Sequence, residues 1–325
     1  MRTIQFREAI REAMSEEMRR DETVFLLGEE VAEYNGAYKV SKGMLAEFGA
    51  KRVIDTPISE SGFTGIAIGA AMNGLRPIVE FMTFNFSLVA MDQIINNAAK
   101  MKNMSGGQFN IPIVFRGGSG SAGQLAATHS QSFENWFANT PGLKVVVPSN
   151  PADAKGLLKS AIRDNDPVLF MESEQMYGDK GEVPEEEYLI PIGSAKVVKE
   201  GKDITIVSFG KMMKVVFETE EILAKEGIDV EIIDLRSVRP IDYDTILNSV
   251  KKTNRMVVVE EAWPLASISS ELAYKVQADA FDYLDAPIKR VTTLDVPMSF
   301  SPPLVEAFLP NKEKVIKAVK EVMYL

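Results

Sequence analysis

Two side chains in this sequence sit where their surroundings do not account for them. The first is Glu60, in the stretch DTPISESGFTGIAIGAAMNG (55–74). A strand-like run ends at Thr56-Pro57, the acid follows, and the helix after it is small and apolar apart from Thr64 and Asn73. Such a helix is expected to be buried on most of its surface. A carboxylate at its mouth costs desolvation energy unless something pairs with it. An acid in the first turn also offsets the helix dipole, worth roughly 0.3–1 kcal/mol. Ser59 is expected to supply the capping side chain, so the balance favours a carboxylate with a partner from outside the helix. The second is His129, in AATHSQSFENWF, the chain's single histidine. It fits a satisfied structural role. It also fits a functional one, because a loop after a parallel strand lies at the edge where α/β sheets bind ligands.

Other chemistries are excluded or weakened. The chain has no cysteine, which removes disulfides, thiolate nucleophiles and Cys-ligated zinc. One histidine rules out a multi-His metal site. Gly118-Ser-Gly-Ser-Ala-Gly123 matches G-x-G-x-x-G after a strand, but no acid stands in the following strand end, VVVPSNP, to hold a ribose. A loop needing permissive glycines is the better reading. A net charge of −10 argues against nucleic-acid binding. No apolar run approaches the roughly 18 residues of a membrane span. The opening MRTIQFREAIREAMSEEM is an amphipathic helix with mixed charges, unlike a signal or transit peptide, so a cytoplasmic location is expected.

The elements that must position these residues alternate between strand and helix. Strand candidates are 24–28, 52–56, 76–84, 111–117, 143–148 and 167–172, and helices are expected at 86–103 and 151–164. Near-continuous apolar strands point to a parallel sheet covered on both faces. At 325 residues about two domains are expected. The Gly-, Pro- and acid-rich segment 178–203 reads as a linker. The expected organisation is therefore a first α/β domain over 1–177, the linker, and a smaller α/β domain over 204–325, both doubly wound.

With those residues placed, the chain resembles the beta chains of the thiamine-diphosphate-dependent 2-oxoacid dehydrogenases, most of all those of the pyruvate-decarboxylating component. The stretches that carry the resemblance include RVIDTPISESGFTGIAIGAAMNGLRPIVEFMTFNFSLVAMDQIINNAAK, MSGGQFNIPIVFRGG, THSQSFENWFANTPGLKVVVPSN, KGLLKSAIRDNDPVLFMESEQMYG and VVVEEAWP, in order across both domains. The resemblance implies a transketolase-like pyrimidine-binding domain followed by a carboxy-terminal domain of transketolase type. It implies that Glu60 hydrogen-bonds the aminopyrimidine ring of thiamine diphosphate, with Phe86 stacked on that ring and Ile58 packed beside it. His129 matches a histidine of the channel where substrate and lipoyl arm meet. A structural potassium ion is implied at Ile113, Ala161, Ile162, Asp164 and Asp166, mostly through backbone oxygens; Asp166 departs from the asparagine frequent there.

The family holds the cofactor's diphosphate through magnesium on a G-D-G motif of the alpha chain, and no G-D-G occurs here. The resemblance thus implies an α2β2 heterotetramer, inert without alpha. It would act on pyruvate and pass an acetyl group to lipoyl-lysine of a dihydrolipoyl acetyltransferase core, docked on the carboxy-terminal domain. Helix 86–103 is a candidate alpha contact or simply core. Branched-chain 2-oxoacids or acetoin are alternative substrates, and a non-catalytic assembly subunit is the alternative of another class. Retention of Glu60, Phe86 and His129 speaks against the last.

Overall fold

The computed structural model describes residues 1–325. Its strands are β1 (Arg2–Gln5), β2 (Val24–Gly28), β3 (Val53–Asp55), β4 (Arg76–Glu80), β5 (Val114–Gly118), β6 (Lys144–Val146), β7 (Val168–Glu172), β8 (Lys180–Val183), β9 (Lys196–Lys199), β10 (Ile204–Ser208), β11 (Val230–Asp234), β12 (Ser237–Arg239), β13 (Met256–Val259) and β14 (Lys289–Val291). The helices are α1 (Phe6–Arg20), α2 (Met44–Phe48), α3 (Glu60–Met72), α4 (Met101–Met104), α5 (Glu134–Ala138), α6 (Pro151–Arg163), α7 (Met212–Lys225), α8 (Tyr243–Thr253), α9 (Ile268–Ala280), α10 (Pro302–Phe308) and α11 (Lys312–Met323). No helix is long and apolar enough to cross a membrane.

The chain divides into two compact units, one of residues 1–119 and 136–192, the other of 120–135 and 193–325. In the first, the strands β6-β7-β5-β4-β2-β3 lie in that order and all pair in parallel. Central strands β5 and β7 are buried along their whole length, as strands covered on both faces must be. In the second, β14-β13-β10-β11 pair in parallel and β9 closes the edge antiparallel to β11. Helix starts follow local chemistry. Asn150 accepts from the Asp153 amide at 2.9 Å with Pro151 as first helical residue, and Asp242 and Asn311 cap α8 and α11 in the same way.

Charges fix the register of the first sheet from within. Arg116 on β5 is 1% exposed and bonds Glu172 on β7 through two nitrogens and Glu80 on β4 through a third. Tyr177 donates to the same Glu172 at 2.8 Å. Burial pushes the Glu80 carboxyl up against the pull of Arg116. Any one-residue slip of these strands would strand three charges in an apolar layer.

Several expectations need correction. Segment 178–203 is not a free linker: β8 pairs antiparallel with β1, β9 belongs to the second sheet, and the units part between Ile192 and Gly193. Its Lys- and Glu-rich composition is that of short, charged edge strands. Residues 120–135, placed by sequence inside the first domain, group with the second unit because their polar partners lie there. The expected 86–103 helix is broken into a 3-10 segment (Phe84–Ala90), a π-wound turn (Gln93–Ala98) and α4, a change of winding that apolar spacing does not register. Ser59 makes no side-chain cap bond. Its Oγ lies instead over Gly62, 2.8 Å from where a Cβ would stand. Finally, α3 buries only one side: Ser61, Gly62 and Ile66 are exposed, Ile66 to 70%.

Candidate active site

The order of the first sheet locates the site. From β2 the chain moves outward to β3, then returns through α3 to β4 on the other side of β2. The winding therefore reverses at β2, and ligands of open α/β sheets bind outside the carboxyl ends of the strands at such a point. Glu29 directly follows β2, Ile58 and Glu60 follow β3, and Phe86 follows β4. The structure brings these four residues to one rim.

Each is set by its own element. β2 ends in Gly28, whose Cβ would meet the Glu80 carbonyl oxygen at 2.4 Å. Only glycine lets β2 and β4 approach closely enough there to deliver Glu29. The loop beyond Glu29 is tied down by Asp55, whose carboxylate accepts the Ala32 and Glu33 amides at 2.7 and 3.0 Å. Glu60 opens α3 and is 7% exposed; Ile58, by contrast, is 82% exposed. Phe86 is half-buried in the 3-10 segment Phe84–Ala90, which packed rings anchor: Phe63 to Phe81 at 5.7 Å, Phe81 to Phe84 at 5.5 Å and Phe84 to Phe137 at 5.7 Å.

The sequence reading missed Glu29. Its carboxyl is buried near that of Glu60, and burial together with the Glu60 charge raises its pKa from 4.5 to about 7. Two neighbouring buried carboxyls cannot both stay ionised cheaply, so Glu29 keeps its proton toward neutrality. The signal was legible in principle: an acid immediately after a buried parallel strand. Glu29 Oε1 is buried without a hydrogen-bond partner. A buried carboxyl pair beside a half-buried aromatic and an exposed aliphatic suits a flat, nitrogen-bearing ring that exchanges a proton. The residues present fit the aminopyrimidine end of thiamine diphosphate.

The five residues assigned to potassium do gather, at the corner where α6 leads into β7 beside the entry to β5. Their oxygens carry partners from the chain itself. Arg76 donates to the Ile162 and Asp164 carbonyls at 3.1 and 2.9 Å, the Ala161 carbonyl accepts from the Asp164 amide, and that of Ile113 from the Val168 amide. Lys144 bridges the Asp164 and Asp166 carboxylates, and Lys102 pairs with Asp166 at 2.6 Å. Against the effect of burial, Lys102 and Lys144 hold the Asp166 carboxyl below its ordinary range. Carbonyl oxygens keep a second lone pair, so the donor set fits a hard monovalent cation.

His129 belongs to the second unit, half-buried in a short 3-10 turn (Ala127–His129), with Nδ1 3.0 Å from Thr128 Oγ1.

Comparison with known proteins agrees with the fold. A family model described as the transketolase pyrimidine binding domain matches residues 2–180, and one described as the transketolase C-terminal domain matches 193–315. Fold and site thus define a protein of the transketolase type. Among curated relatives, the pyruvate dehydrogenase E1 component subunit beta of Rhizobium meliloti is 57% identical over 325 residues, 100% of this chain and 71% of that protein. That of Rickettsia felis is 54% identical over 321 residues, covering 99% and 98%. The mitochondrial subunit beta-1 of Oryza sativa is 52% identical over 322 residues, covering 98% and 86%. The chain belongs to the family of pyruvate dehydrogenase E1 component beta subunits. A solved structure described as a split gene transketolase, inactive beta4 tetramer, shares the fold with a TM-score of 0.83 at 23% identity, covering 99% of both chains.

Proposed function

We propose that this chain is the beta subunit of a pyruvate dehydrogenase decarboxylating component, acting with an alpha subunit in an α2β2 heterotetramer. The observation that carries the reading is the Glu29–Glu60 carboxyl pair at the point where the sheet's winding reverses. When bound, thiamine diphosphate supplies the electron sink that lets a 2-oxoacid lose carbon dioxide. This chain's residues prepare it. Glu60 offers its carboxyl to a ring nitrogen of the aminopyrimidine. Glu29, its own pKa raised by burial and by the Glu60 charge, keeps a second, proton-holding carboxyl beside it. Phe86 lends an aromatic face to the ring, and Ile58 supplies apolar contact beside it.

The alpha subunit is assigned the magnesium ion and the diphosphate. The exposed small and apolar side of α3, Gly62 and Ile66 among it, supports a covering partner, since monomeric surfaces seldom leave such faces bare. A structural potassium ion is placed at the Ile113–Asp166 corner. His129 takes part in handing the acetyl group to lipoyl-lysine of a dihydrolipoyl acetyltransferase core, and the carboxy-terminal unit docks that partner.

A panel of 2-oxoacids on the chain assembled with its own alpha subunit tests the substrate. Pyruvate should give the highest kcat/KM, by about tenfold or more over branched-chain 2-oxoacids, the discrimination that a pocket differing by a few methylenes achieves. Preference for a branched-chain acid or for acetoin would move the chain to a sister enzyme. No turnover on any acid would leave an assembly role.

A further inference from the structure

The loop that carries His129 has little internal structure to hold it. Between Gly120 and His129 the backbone passes through the left-handed region at Gly120 (φ 77°), Gln124 (φ 63°) and Ala126 (φ 67°), two of them not glycine. Its one regular piece is the 3-10 turn Ala127–His129. Residues of this kind persist only where surrounding contacts over-determine them. Some contacts are internal, from the Gly120 amide to the Gln131 carbonyl at 2.9 Å, Gln124 to Ala122 at 2.8 Å and His129 to Ala126 at 3.2 Å.

Contacts from outside the loop come from two loops at the carboxyl ends of β10 and β13. Glu261, two residues past β13, accepts the Ser121 amide through Oε1 and pairs through Oε2 with Lys211 at 2.5 Å. Lys211 also donates to the Ser121 hydroxyl and reaches the Ser121 carbonyl at 3.3 Å. Both charged side chains are 10% exposed, and a Cβ on Gly120 would stand 3.0 Å from Glu261 Oε1. At the far end of the loop, Asn135 donates to the Ala266 carbonyl at 2.9 Å. A charge pair largely withdrawn from water adds little net stability but is demanding in geometry. Here that geometry is imposed on one dipeptide, Gly120-Ser121, eight residues before His129.

We infer that Glu261 and Lys211 are positioning residues that act through His129, fixing the Gly120–His129 loop for acyl transfer. The inference rests on the proposed role of His129. Neither side chain touches substrate or cofactor in this reading; their effect is on where the imidazole stands.

The test uses the heterotetramer with its own alpha subunit and two assays. Acetylation of an isolated lipoyl domain reads acyl transfer; pyruvate oxidation with 2,6-dichlorophenolindophenol as electron acceptor reads decarboxylation without it. Glu261→Ala should slow lipoyl acetylation about 10- to 100-fold, the range for displacing a reacting group by up to an ångström, while the dye assay stays within about twofold. Glu261→Gln, which keeps an acceptor for the Ser121 amide, should recover most of the loss. In a His129→Ala background, Glu261→Ala should cost nothing further, because the two act as one unit. Equal losses in both assays, equal losses in both backgrounds, or no loss at all would overturn the inference. Should Glu261→Ala not fold, Glu261→Gln and Lys211→Met are read on the same criteria, with a partial loss expected of each. If His129→Ala alone acetylates lipoyl at the parent rate, the role given to His129 falls and the inference with it. If His129→Ala is slow and the Glu261 and Lys211 variants are not, the inference alone falls.

Discussion

At the scale of single residues, chemistry is concentrated in one proton. Glu60 alone at a helix start could be a dipole effect worth under about 1 kcal/mol. Glu60 beside a second buried carboxyl is the arrangement that the proposed acid–base role requires. In the assembled enzyme, Glu60→Gln should cut turnover about 10⁴-fold, the upper end for a general acid–base group. Near-parent turnover would return Glu60 to a capping role. Glu29 gives a separate signature in the fold's pH dependence. Its native pKa is raised by burial and by Glu60, from 4.5 to about 7. The native state therefore binds this proton more tightly than the unfolded chain does. The stabilisation is fully present below about pH 4.5 and lost as pH rises through about 7. Glu29→Gln should flatten the fall in melting temperature across that window and melt higher than the parent at pH 8. Parallel pH profiles for the two proteins would contradict the assignment.

At the scale of elements, the site depends on strand ends being level. Glu29, Ile58, Glu60 and Phe86 reach one rim because β2, β3 and β4 stop together, and Arg116 helps to hold that register by bonding β4 and β7 from the strand between them. Arg116→Met would leave Glu80 and Glu172 buried without their cation. We expect a destabilisation of about 3–5 kcal/mol, the usual result of removing one member of a buried charge network, measurable by urea denaturation. A loss below about 1 kcal/mol would mean that the carboxyls simply protonate and the apolar layer sets the register by itself.

At the scale of the whole molecule, the proposed reading gives the chain one end of a cofactor site, and α3 leaves one side exposed. Thermal denaturation of the isolated chain tests this division of labour. Potassium should raise the melting temperature relative to tetramethylammonium at equal ionic strength, while thiamine diphosphate with magnesium should not, since ligand stabilisation requires binding to the native chain. A shift with micromolar thiamine diphosphate would contradict the shared site, and indifference to potassium would remove the ion from the Ile113–Asp166 corner.

Much of this was legible in the sequence because it is local. Alternating apolar runs and helical spacing mark the two α/β units, since burial of parallel strands leaves little room for polar residues. Composition excludes cysteine and multi-histidine chemistry outright. Glu60 and His129 stand out by type and by position after strands, whereas Phe86 is marked only by the family resemblance. Other features depend on residues far apart in the chain, and only the tertiary structure decided them. Glu29 gains its raised pKa from a carboxyl 31 residues away. Arg116 finds its partners 36 and 56 residues away. The His129 loop belongs with Lys211 and Glu261, 90 and 140 residues beyond Ser121. Local sequence sets conformational preference and burial, but a desolvated charge takes its state from whatever folding brings within a few ångströms.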